Sequence, residues 1–326
     1  MKILLIRFSS IGDIVLTSPV ITALKQKYPS AQIHYLTKKV FLDILLHNPK
    51  IDKIWSYDSN LELIIQQLKK EKLDWIIDLH NNLRSRWLCL RLGLKTRRLH
   101  KENWNKWKMV NLKSKISIPH IVDRYLKTLD FSIKNPIPLE YYCGLNDENH
   151  AIQLLKKHEI DKNYWVIVLS ATHFTKKWLK EYFVELIQSL DKKIILLGGK
   201  TEIKESQWIE NQLINNNHCI NLCGKTSLNQ SAAIIKNSEF VITHDTGLMH
   251  IACAYQKKMI ILWGNTLPEM GFAPYQNPNA LNISLDLPCK PCSKLGRKKC
   301  PKSHFHCMKN ITPKMVLETS KMLLSF

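Results

Sequence analysis

The sequence predicts an α/β protein of two successive domains, each a parallel sheet covered by helices. Three observations carry this. Short apolar runs alternate with amphipathic segments from the first residues onward, the pattern of strand–helix repeats. The alternation stops at "SIKNPIPLEYYCG" and restarts at "YWVIVLS". A length of 326 residues accommodates two domains of ordinary size. The expected division is 1–150 and 151–326.

In the first half, "KILLIRF" reads as a buried strand, "SSIGDI" as a loop and "VLTSPVITALKQKYP" as a helix with Pro19 early in it. "AQIHYLT", "IDKIWSYD" and "LDWIIDLH" are further strands, separated by helices at "VFLDILLHNP" and "LELIIQQLKKEK". The basic, Trp-rich stretch Arg84 to Lys115 holds a helix and a short strand near "KTRRLH"; "IPHIVDRYLKTLDF" is a helix. The second half gives strands at "YWVIVLS", "KKIILLGG", "CINLCG", "EFVITHD" and "KMIILWG". Helices at "KEYFVELIQSL", "KESQWIENQLINN", "SLNQSAAIIKNS" and "GLMHIACAY" lie between them. The closing "TPKMVLETSKMLLSF" is a helix with the option of packing back on the first domain.

A surplus of 48 Lys and Arg over 27 Asp and Glu leaves a net charge of +21, which favours anionic partners. Nucleic acid, phosphorylated substrates and an acidic membrane face all qualify. The nine cysteines are an odd number, and the N-terminal apolar run is too short for a signal peptide. No run of 18 uncharged apolar residues occurs. These features predict a cytoplasmic protein that touches a membrane, if at all, from the inside.

In open α/β sheets ligands sit beyond the carboxyl ends of strands, so the loops there are the candidate sites. "RFSSIGDIVLTSP" places Ser10, Gly12 and Asp13 after the first strand. Asp13 is either a helix cap or a general base aimed at a substrate. "SATHFTKKW" offers the hydroxyls of Ser170, Thr172 and Thr175 with Lys176 or Lys177 as a phosphate clamp; the bland reading is a solvated lysine pair. "LLGGKTEIKES" sets Glu202 where it could accept ribose hydroxyls. "HDTGLMH" puts Asp245, Thr246 and Gly247 where strand passes to helix, a place suited to phosphate oxygens. His250, one step into that helix, reads equally as a structural histidine. Neither GxGxxG nor GxxxxGK is present, which weighs against dinucleotide and P-loop NTPase readings.

Together these pieces resemble the bacterial lipopolysaccharide heptosyltransferases of glycosyltransferase family 9. The resemblance rests on "LLIRFSSIGDIVLTSPVITALKQKYP", "DLHNNLRS", "THFTKKW", the "GG…E" turn and "HDTGLMHIACAY", in that order over most of the chain. It implies the GT-B architecture, two Rossmann-like domains facing an interdomain cleft. It also implies inverting transfer of heptose from ADP-heptose to a Kdo or heptose hydroxyl of the inner core, and no required metal. By resemblance the base falls on Asp13 and the diphosphate lysine on Lys176. Donor contacts fall on Ser170, Thr172, Glu202, Asp245, Thr246, Gly247 and His250. Acceptor contacts fall on Ser10, Gly12, Asn81, Arg84 and Ser85. A monomer, peripheral at the inner membrane, is the expected form. The Arg84 to Lys115 segment is its candidate membrane face, or else a helix pair with core tryptophans.

Cys289, Cys292, Cys300 and Cys307 form a CxxC-led cluster that could hold a structural zinc; reduced, metal-free cysteines are the alternative. Two other functions stay open at this stage. One is transfer from a different nucleotide sugar on the same fold. The other is a basic nucleic-acid-binding protein, for which the charge speaks but no recognised nucleic-acid motif does.

Overall fold

The computed structural model of the chain describes residues 1–160, 163–213 and 218–325. Two compact units emerge: residues 1–102 with 119–142, and residues 103–118 with 143–326. The expected boundary at 150/151 therefore moves to 142/143. The segment 103–118 also leaves the first half of the chain for the second unit, because Met109 and Ile118 bury their side chains with Met270.

In the first unit, β1 (Lys2–Ile6) leads through α1 (Ile11–Val15) and α2 (Ser18–Lys27) to β2 (Gln32–Lys38). A 3-10 turn at Lys39–Ile44 replaces the expected short helix before β3 (Lys53–Tyr57). Next come α3 (Leu61–Lys69), β4 (Trp75–Asp78), α4 (Leu83–Leu92) and β5 (Lys95–Arg98). After α5 (Asn103–Asn111), which belongs to the other unit, α6 (Ile121–Leu126) completes this one. The sheet is parallel throughout, in the order β3-β2-β1-β4-β5. Its strands are near-continuous apolar runs because helices cover both faces. Leu4, Ile6, Leu36, Ile65, Leu68 and Ile76 form part of one core layer.

The second unit adds α7 (Leu145–Lys157), β6 (Tyr164–Val168), α8 (Lys180–Gln188), β7 (Lys193–Leu197) and α9 (Ile203–Gln212). It continues with β8 (Cys219–Asn221), α10 (Leu228–Asn237), β9 (Phe240–His244), α11 (Gly247–Ala254), β10 (Lys258–Trp263) and β11 (Ala280–Ser284). Short α12 (His306–Lys309) and α13 (Pro313–Leu324) end it. The parallel order is β11-β10-β9-β6-β7-β8. The final turn of the helix expected at "KESQWIENQLINN" falls partly outside the described residues. The C-terminal helix α13, offered from sequence as a return to the first domain, packs on α8, β10 and β11 of its own unit. Among the described residues no helix is long and apolar enough to cross a membrane.

Candidate active site

In each sheet the strand order reverses at one point, and loops leaving the two strands there diverge to open a crevice. The first sheet reverses between β1 and β4, where Ile6 lies beside Asp78 in register. Loops 7–10 and 79–82 leave from that point. The second sheet reverses between β6 and β9, which sends out loops 169–176 and 245–246. Every quoted loop motif except the "GG…E" turn begins at one of these two points.

At the first, Asp13 sits in the first turn of α1, with Ser10 as the N-cap residue. Its Oδ2 accepts from the Ser10 N–H (3.1 Å) and hydroxyl (2.8 Å), and its Oδ1 lies 2.7 Å from Arg7 Nη2. Thus the capping reading is correct for one oxygen, while the side chain stays 21% exposed. Burial pushes the carboxyl up, but the Arg7 charge and the two Ser10 donors outweigh it, so its pKa lies below the ordinary 3.8. Arg7 is fixed in turn by donating to the Ser9 and Leu79 carbonyls, with its guanidinium 5.8 Å from the Tyr125 ring centroid. Gly12 is buried inside α1.

The "DLHNNLRS" loop is built on Asp78, which is fully buried and accepts from the His80 and Asn81 N–H groups and the Ser85 hydroxyl. Ser85 also closes a reciprocal cap with Asn82 at the start of α4. With no exposed surface, its side chain is structural, which corrects the acceptor contact expected of it. Asn81 adopts a left-handed φ of 44°, donates to the Leu99 carbonyl and accepts from Arg86. Arg84 is exposed on the first turn of α4. His80, beside Phe8, is driven down to about 3 by burial, then by the charges of Arg7 and Lys101, so its ring is neutral.

At the second switch point Lys176 Nζ pairs with Asp245 Oδ2 at 2.5 Å, and the Thr266 hydroxyl donates to the same oxygen at 3.2 Å. Both charged side chains are only slightly exposed, 13% and 14%. Thr246 caps α11 by accepting from the Met249 N–H, which leaves its hydroxyl proton for another acceptor. Gly247 is the first residue of α11. In the loop leaving β6, Ser170 is half-buried and Thr172 exposed. Thr175 is not part of a clamp: at 1% exposure it bonds Asn265 and the Arg297 carbonyl and anchors the loop. The Thr175–Lys176 backbone lies directly on Gly264, where a Cβ would collide with the Thr175 carbonyl. Only glycine allows that approach.

Glu202 is 3% exposed; it accepts from Lys177, Thr201 and the Gly199 N–H. A ribose hydroxyl would have to share those oxygens. His250 is buried at 4% exposure within α11, the structural alternative, so its donor contact is not carried forward. His244, 1% exposed, accepts from the Trp178 N–H and is driven down to about 4 by burial.

Sequence reasoning singled out neither Arg7, His80, Asp78 nor Thr266. Arg7 was legible only as the end of a strand, since its partner is six residues on across a turn. The four C-terminal cysteines do come together, lining one pocket with Lys290, Thr175 and Asn265. Yet among the described residues no three His, Cys, Asp or Glu side chains converge as metal ligands. Lys290 fills part of that space, 7% exposed and donating to the Trp263 carbonyl and Ser284. No step below involves a metal.

Comparison with known proteins agrees with this geometry. The Campylobacter jejuni lipooligosaccharide heptosyltransferase 2 is 29% identical over 99% of this chain and 98% of its own. Among solved structures, a glycosyl transferase family 9 protein from Veillonella parvula superposes with a TM-score of 0.82 at 19% identity, over 99% and 97% of the two chains. The Escherichia coli ADP-heptose lps heptosyltransferase II gives 0.77 at 22% identity, over 99% and 98%. The α/β fold with two parallel sheets is thus that of the GT-B glycosyltransferases of this family. The family described as glycosyltransferase family 9 (heptosyltransferase) matches residues 62–305, so the chain belongs to that family and is a glycosyltransferase.

Proposed function

We propose that the enzyme transfers heptose from ADP-heptose, with inversion at the anomeric carbon, to a Kdo or heptose hydroxyl of the lipopolysaccharide inner core. The observation that carries this reading is Asp13, an ionised and partly exposed carboxylate at the switch point of the first sheet. The names of the similar proteins, with their lipooligosaccharide and ADP-heptose, support the substrates.

In this reading the second unit takes the donor. Lys176, the Thr246 hydroxyl and the N–H groups opening α11 meet the diphosphate, with Ser170 and Thr172 at its edge. Asp245 would repel phosphate on its own. Its pairing with Lys176 and Thr266 neutralises it and holds the ammonium in position. Glu202, buried and already accepting from Lys177, Thr201 and the Gly199 N–H, is not assigned a ribose contact. The acceptor lies on the first unit, against Ser10, Asn81 and Arg84.

Asp13 takes the acceptor proton as the sugar oxygen attacks. Arg7 weakens Asp13 as a base, but an alcohol turns strongly acidic as it bonds to carbon, so a weak base suffices. Charge leaving with ADP is met by Lys176 and the helix start. No cofactor is assigned. The enzyme works as a monomer in the cytoplasm, peripheral at the inner face of the membrane. Trp104 and Trp107 support that placement: they stack at 4.9 Å on α5, 63% and 40% exposed, beside Lys106 and Lys108. Their exposure corrects the core alternative.

The test is incubation of purified enzyme with ADP-heptose and a heptose-deficient core acceptor. Mass spectrometry should show one added heptose, and NMR should show inverted anomeric configuration. Transfer only from a different nucleotide sugar would replace the donor and keep the fold argument.

A further inference from the structure

The first unit holds a second basic feature that the proposed reaction does not use. A cavity of about 200 Å³ is lined by Arg98, His100, Glu102, Pro119, Arg124, Lys127 and Thr128. Three permanent cations face it against one carboxylate. Arg124 is 6% exposed, its Nε donates to the Pro119 carbonyl at 3.1 Å, and its Nη2 is buried with no hydrogen-bond partner. Leaving a charged donor buried and unmet costs more than almost any other surface defect, so such an atom points to an acceptor that arrives with a ligand.

Its position is informative. Arg124 neighbours Tyr125 on α6, and Tyr125 lies under the Arg7 guanidinium that pairs with Asp13. Arg124 is close enough that the charges of Tyr125, Glu102, Arg7 and Asp13 all act on it, although burial is the larger influence and lowers its pKa. One short helix therefore ties the cavity to the proposed base.

Resting on the reading of Asp13 as base and the first unit as acceptor side, we infer that this cavity is an anion subsite for the acceptor. Arg124 Nη2, backed by Arg98 and Lys127, holds an acidic group of the acceptor and so presents a nearby hydroxyl to Asp13. Carboxylate and phosphate share the required chemistry: a compact anion with several oxygens that match a guanidinium.

Steady-state kinetics of the full-length enzyme test this. Arg124→Gln and the doubly substituted Arg98→Gln/Lys127→Gln are assayed with the intact acceptor. Arg98 and Lys127 are exposed, so the second variant keeps the fold if the first does not. Acceptor KM should rise roughly 10- to 100-fold, while kcat and the KM for ADP-heptose change less than about threefold. Acceptors lacking their phosphates, or with the carboxyl reduced, identify the anion: removing the right group from substrate should abolish the difference between wild type and variant. An active wild type whose acceptor KM is unchanged in both variants overturns the subsite. A wild type that transfers nothing overturns the reaction assignment instead.

Discussion

The Arg7 guanidinium lies 2.7 Å from the Asp13 carboxylate, at the point where the first strand gives way to the first helix. The pair sets two properties at once. It keeps the acid ionised in a largely buried place, and it orients one oxygen while Ser10 holds the other. Cap and base are therefore compatible: the capping bonds use lone pairs on one oxygen and leave the carboxylate partly open to solvent.

Replacing Asp13 by Asn should cut transfer by about 10²- to 10⁴-fold. An amide oxygen still accepts from the Ser10 N–H, so ADP affinity should stay close to wild type, while loss of the Arg7 ion pair lowers the melting temperature. Calorimetry alongside turnover checks this, and near-normal turnover would remove Asp13 from the mechanism.

The acid limb of kcat/KM should fall below the ordinary aspartate value of 3.8, since the pKa of Asp13 is depressed in the folded protein. The linked stability has a definite sign. It is fully present above the unfolded pKa and is lost as pH falls through the lower folded value. Arg7→Met should raise that limb, because it removes the guanidinium charge that holds the carboxyl down. A pH–rate profile that does not move would place the titrating group elsewhere.

Lys176→Ala should weaken ADP binding and turnover together, by roughly 10- to 100-fold. It also strips Asp245 of its cation, adding repulsion toward the diphosphate. Unchanged ADP affinity in calorimetry would move the diphosphate away from this loop.

Gly264→Ala would drive a methyl into the Thr175 carbonyl, which is backbone and has little room to yield. Destabilisation of about 1–3 kcal/mol is expected from such overpacking. ADP affinity should fall as well, because the same backbone carries Lys176. A thermal shift measured with and without ADP separates the two effects.

His80 should show no titration between pH 5 and 8, its ring being neutral with a pKa pushed down to about 3. NMR of the His80 ring protons checks this, and an inflection near 6.5 would mean an accessible ring.

Much of this was legible in the residues alone. Strand–helix alternation identified ten of the strands, most of them as apolar runs; the loops after β1, β6 and β9 were picked out by their polar residues, and the loop after β4 by the family resemblance. What stayed hidden depends on distant partners. Ser85 looks like a surface hydroxyl until buried Asp78 claims it. Thr175 looks like a phosphate ligand until Asn265 and Arg297 surround it. β11 is short and half-exposed, with no long apolar run to announce it. Helix α7 opens on "LNDENH", a polar turn that reads as more linker until Ala151 and Leu155 are seen to be buried.

The excursion of residues 103–118 has a consequence for how the chain must assemble. The polypeptide passes from one unit to the other after Glu102, back before Pro119, and across again at Cys143. Helix α5 is thus made early in synthesis, while Met270, against which Met109 closes, emerges more than a hundred residues later. A fragment beginning at Cys143 would carry the whole second sheet and still lack a piece of its own wall. Neither half is a self-sufficient parcel, and any exchange of the second unit has to carry residues 103–118 along with the later part of the chain.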